Sequence, residues 1–121
     1  PYGPPPVLAE TSQFGSLEAS LPPDQFRSIL RAYLADATAR ATRIVAAAER
    51  RDFACVAKDA HDLASTSGNV GAHQLADLSR RLERACKTGT VADIEILLPA
   101  IGPAVQAAQE ALRLRYLAVA V

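Results

Sequence analysis

The sequence predicts an all-α fold, an antiparallel up-and-down four-helix bundle. Three observations carry that prediction. Alanine and leucine dominate the hydrophobic 50% of the chain, with few clustered β-branched residues, a composition that favours helix over strand. Four substantial segments repeat their apolar residues at helical spacing. The connections between them are short, which makes successive helices antiparallel neighbours. No strand pattern competes.

The elements follow in order. Residues 1–15 open with Pro1, Gly3 and the run Pro4, Pro5, Pro6, a composition suited to an extended or polyproline II tail or linker. Within that stretch Leu8 and Phe14 are apolar enough to dock a short extra helix or turn on the bundle, which is expected over residues 16–121. Pro22-Pro23-Asp24 marks a helix start, since proline is tolerated in the first turn and an acidic group favours the positive end of the helix dipole. From there Phe26, Ile29, Leu30, Tyr33, Leu34, Ala37, Ala41, Ile44, Val45 and Ala48 keep a helical period to about Arg51. Asp52 is placed to cap a second helix that closes near Asn69 to Gly71. Leu75, Leu78, Ser79, Leu82, Ala85 and Cys86 define a third, which stops at Lys87-Thr88-Gly89. The fourth begins near Thr90, with Val91, Ile94, Leu98, Ile101, Val105, Ala108 and Leu112 on its stripe. Pro99 and Gly102-Pro103 are expected to kink or interrupt it, because proline removes a helix hydrogen bond and crowds the preceding turn.

Composition narrows the function classes. A chain of 121 residues is one domain. Its 13 basic and 13 acidic side chains cancel, so no global field draws it to nucleic acid or to an anionic membrane. The apolar runs, broken by proline or charge, read as too short to span a bilayer. No secretory signal pattern appears, and the absence of any methionine suggests a processed form or a domain of a longer protein. A cytoplasmic monomer is the expectation. Cys55 and Cys86 lie in helical patterns and read as free thiols, with a disulfide between them left open; neither has the short-spaced partner that zinc needs.

The informative stretch is Ala60-His61-Asp62-Leu63-Ala64-Ser65-Thr66-Ser67-Gly68-Asn69-Val70-Gly71-Ala72. Phe53, Val56, Ala60, Leu63 and Ser67 share the core-facing stripe of its helix, and His61 falls roughly 100° from the middle of that stripe, towards solvent. Its neighbours three and four positions away are Ala57, Lys58, Ala64 and Ser65, three of them small. The imidazole therefore stands clear on a shallow surface beside one ammonium group. Such a group, without pocket walls, suits a residue on which a partner acts. An imidazole is partly neutral, and so nucleophilic, at neutral pH without an activating base. His73, in the first turn of the next helix, reads as a surface residue, and a metal site formed with His61 is remote.

The segment from about residue 50 to 90 resembles the histidine phosphotransfer (HPt) family, helical bundles that carry a phosphoryl group between receiver domains of bacterial or fungal phosphorelays. Ala60-His61, Leu63, Ser67, Gly71-Ala72, Leu75 and Leu82-Glu83 carry the resemblance. It implies that His61 is phosphorylated on a ring nitrogen, that a receiver aspartate is donor or acceptor, and that Glu83 lies near the active face and is placed for a supporting hydrogen bond. It also implies that the response-regulator receiver supplies magnesium, with no cofactor on this chain and no autonomous kinase activity. A sensor histidine kinase, in the same or another chain, is a further implied partner. The family commonly has lysine or arginine three residues after the histidine and glycine four after, where this chain has Ala64 and Ser65. Lys58 is one substitute for that cation; Arg80, Arg84 and Lys87 on the following helix are the others. A histidine-kinase dimerisation helix would continue to proline five residues after the histidine, where Thr66 stands, and the chemotaxis-kinase variant often places a second histidine at the position of Arg81. The alternative function is a helical interaction module that binds a receiver or kinase without transferring phosphate.

Overall fold

The computed structural model describes residues 5–117, so Pro1, Gly3 and Pro4 of the expected tail lie outside the described residues. Helix α1 (Gln13–Glu18) is short and leads into four long helices: α2 (Pro23–Glu49), α3 (Phe53–Asn69), α4 (His73–Thr88) and α5 (Val91–Leu112). A π-helical turn over Arg113–Leu117 continues α5. Helix α3 packs between α2 and α4, α4 packs on α5, and α5 returns to α2, so the bundle closes on itself. No strand occurs among the described residues.

Local chemistry sets the helix limits. Pro23 occupies the first turn of α2 with Asp24 beside it. The Asp52 carboxylate accepts from the Cys55 amide at 3.2 Å and starts α3. Gly71 ends the α3–α4 turn at φ 82°, a left-handed backbone, and a methyl there would sit 3.1 Å from Ser12 Cβ. Gly89, at φ 74°, closes α4 in the same way.

The core follows the expected stripes with exceptions: Ile29 and Val45 of the α2 stripe are exposed, and on α5 Leu97 is buried while Leu98 is half-buried. Leu30, Ile44, Val56, Leu63, Leu75, Leu82, Ile101 and Leu112 are fully buried. Polar groups within it are paired across helices. The Tyr33 hydroxyl and Ser67 Oγ lie 2.9 Å apart, and Gln109 Nε2 donates to the Leu34 carbonyl at 2.9 Å and to Thr38 Oγ1 at 2.6 Å. Burial, only partly offset by that Ser67 bond, pushes the Tyr33 hydroxyl pKa up.

Two expectations about α5 need correction. Pro99 and Pro103 do not interrupt α5, which runs unbroken from Val91 to Leu112. Both prolines are exposed, as are Glu95, Gly102 and Gln106 around them, so the carbonyls they leave without a donor face water. The same helix, taken with the turn to Leu117, is long and apolar enough to cross a membrane by length and composition, contrary to the reading of its apolar runs as too short. Its Ile94, Leu97, Ile101, Val105, Ala108 and Leu112 face the bundle core, so one such helix, by length and composition alone, assigns no span here.

The N-terminal stretch is laid on the bundle along its described part. The Ala9 amide donates to the Gly71 carbonyl at 2.8 Å, and the Pro6 carbonyl accepts from the Gln74 amide at 3.0 Å, satisfying a donor in the first turn of α4. Helix α1 crosses the boundary expected at residue 15 because Phe14 is buried, stacked on Phe26 at 4.5 Å between ring centres and edge-on to Tyr116. Cys55 and Cys86 are free and half-buried, and burial raises the Cys86 thiol pKa.

Candidate functional site

Helix α3 presents His61 because the residues around it divide its circumference. Ala60 and Leu63 are buried on one side, while Asp59 and Asp62 turn to α2. There Arg40 Nε binds Asp36 at 2.8 Å, Arg40 Nη1 binds Asp59 and Asp62 at 3.1 Å each, and Arg43 Nη2 binds Asp59 at 3.1 Å. The Asp36 hydrogen bond raises the Arg40 pKa, and that of Asp59 raises the pKa of Arg43. This clamp fixes the rotation of α3 against α2 and leaves the remaining face to solvent. The His61 side chain is 63% exposed there.

Among the described residues its ring is held at one end only. Nδ1 lies 3.2 Å from Glu83 Oε1 and 3.1 Å from Oε2, on α4. Nε2 has no hydrogen-bond partner among the described residues. Glu83 Oε2 also accepts from Lys87 Nζ at 2.6 Å, one helical turn further along α4. One carboxylate oxygen therefore touches both the imidazole and an ammonium. The Lys87 ammonium, and after it the His61 ring, hold the Glu83 carboxyl below its ordinary value of 4.5, against the partial burial that raises it.

A carboxyl whose pKa falls on folding contributes stability above its unfolded value, and loses it as pH drops through the folded one. The His61–Glu83–Lys87 contact is thus complete at neutral pH and lost in acid. A carboxyl carbon NMR titration should place the Glu83 midpoint below 4.5 and move it upward in K87A.

The other expected site residues separate into those on this face and those away from it. Ala57 is half-buried, and Lys58 and Ser65 are exposed; Lys58 makes no hydrogen bond or ion pair with His61 or Glu83 among the described residues. Ala64, expected on the docking surface, is instead 4% exposed, because its side of α3 is covered by the bundle. Arg80 lies over Gly68, where a methyl would meet its guanidinium at 3.4 Å, and it borders an open cleft with Ser65, His73 and Pro5. Arg84 does not join the site: it lines a groove between α4 and α5 with Asp93 and Ile96, one residue past Glu83 and so rotated off the face. Among the described residues no three His, Cys, Asp or Glu side chains are grouped to hold a metal ion.

Sequence reasoning missed the clamp. Its signal was present as matched spacing, Arg40 with Arg43 on one helix and Asp59 with Asp62 on the next, each pair three residues apart.

The sequence model of the Hpt domain family matches residues 28–114, a span that takes in α3, α4, α5 and nearly all of α2. No curated protein and no solved structure gives a significant match. The family match covers well over half of the chain and contains the outward histidine with its glutamate and lysine. On that ground the chain belongs to the histidine phosphotransfer domain family, the phosphotransfer modules of two-component signalling.

Proposed function

We propose that His61 carries a phosphoryl group on Nε2, exchanged with the phosphorylated aspartate of a response-regulator receiver domain. The observation that carries this reading is the arrangement of the ring: outward on a clamped helix, engaged at Nδ1 by Glu83, with Nε2 free of hydrogen-bond partners among the described residues. A carboxylate at Nδ1 accepts a hydrogen bond from the ring N–H there, which leaves the lone pair on Nε2. In the transfer step that lone pair attacks phosphorus. The N–P bond forms as the P–O bond to the receiver aspartate breaks, and the aspartate carboxylate leaves with the bonding electrons. The Nδ1 proton stays in place, and Glu83 offsets the positive charge the ring acquires. Transfer back follows the same steps in reverse.

The chain's own contribution is position. An open face admits a partner along the line of attack, and most of the barrier to phosphoryl transfer is lowered by such alignment and by charge on the equatorial oxygens. In this reading the receiver brings the magnesium ion, docks through a small transient interface, and meets the domain in the cytoplasm. A sensor kinase stands further along the same relay. E83A should slow transfer roughly 10–100-fold, by analogy with the loss of a group that orients a metal-bound histidine. Its effect should fall on kcat, with receiver affinity little changed.

The test is to mix the domain with each labelled, phosphorylated receiver of the source organism. Label should pass to this chain in an acid-labile, alkali-stable form, as a phosphohistidine requires. Binding without transfer from every receiver overturns the carrier reading in favour of an interaction module, the reading that neutral Ala64 favours.

A further inference from the structure

We propose that Lys87 is the cation that meets the phosphoryl group, passing from Glu83 to the phosphoryl oxygens when His61 is phosphorylated; this rests on the reading of His61 as the carrier. A phosphoryl group brings up to two negative charges to an exposed ring. The question is which positive side chain lies ready for it.

Arg40 and Arg43 are engaged by Asp36, Asp59 and Asp62 on the α2 side. Arg84 lines the groove towards α5, and the Arg80 guanidinium lies over Gly68, about two turns along α3 from His61. Lys58 is exposed but has no contact with the ring or with Glu83 among the described residues. Lys87 alone of these shares an atom with the reactive group, because its Nζ and His61 Nδ1 meet on the same oxygen, Glu83 Oε2.

The charges then rearrange without movement of the backbone. Before transfer, Lys87 and Glu83 neutralise each other beside the ring. Afterwards the ring is a cation whose Nδ1 proton pairs with Glu83, and the same ring carries a second, more highly charged anion. Lys87, 65% exposed on a flexible four-carbon stem with three donors, can turn to it. Glu83 changes partner from lysine to imidazolium, and lysine changes partner from carboxylate to phosphoryl.

Phosphoramidate, a small P–N donor that releases ammonia on transfer, allows a test on the whole chain without a receiver. The wild type, K87A and K87R are phosphorylated and the phosphoryl signal is titrated by phosphorus NMR. The phosphoryl midpoint is expected to rise by about half a unit in K87A, a threefold change, and to stay near wild type in K87R. Transfer onward to a receiver should lose about tenfold in kcat in K87A, with KM little changed. A K87A protein that matches wild type in both measurements overturns the assignment. So does one that slows transfer while its phosphoryl titration is unmoved, since that is lysine acting through Glu83 alone. A wild type that takes no phosphoryl group on His61 overturns the carrier reading, and the Lys87 assignment with it.

Discussion

H61Q should accept no detectable label from any phosphorylated receiver while keeping wild-type helicity and thermal stability. The two halves of that result have separate causes. The glutamine amide has no lone pair available to attack phosphorus, since its nitrogen electrons are delocalised into the carbonyl, so the covalent step is absent rather than slowed. Stability should hold because the His61 side chain is 63% exposed and contributes nothing to the buried core. A surface substitution of this kind changes stability by about 0.5 kcal/mol or less. Labelling of wild type and variant beside their circular dichroism melts checks both halves. Persistent label on H61Q would place the phosphoryl group elsewhere.

L63A should do the reverse. Leu63 lies two residues along the same helix, fully buried in the core between helices. Truncating it removes apolar contacts and leaves a cavity, at a cost of about 2–5 kcal/mol. For a domain of this size that lowers the melting midpoint by roughly 10 °C or more. Transfer per folded molecule should be unchanged, because the His61–Glu83–Lys87 contact lies on the outer face. Denaturant melts and single-turnover transfer below the midpoint separate the two effects. A variant that keeps its stability would mean that the site collapses around the lost methyl groups far better than full burial implies.

The pattern of helices was legible because it is local. Pro23, Asp52, Gly71 and Gly89 act within a turn of where they stand, and apolar periodicity needs only its own helix. The outward imidazole followed from the same periodicity. What periodicity cannot give is the partner across a helix interface. Tyr33 meets Ser67 over a separation of 34 residues, and Arg40 reaches Asp59 over 19. The same limit applies to the basic residues of α4. Arg80, Arg84 and Lys87 look equivalent as a charge run, but only Lys87 shares a partner with His61, through Glu83. The prolines of α5 misled for a different reason: their cost depends on which face they occupy, and solvent sits on that face.

The exposure of His61 also sets a clock. Among the described residues no hydrogen bond engages Nε2 and the side chain is 63% exposed, so water reaches the same ring that a partner does. A phosphorylated form of this domain would keep its cargo only as long as the N–P bond resists hydrolysis by itself. The signal it passes on would then reflect how often partners arrive within that lifetime, making their local abundance part of the message.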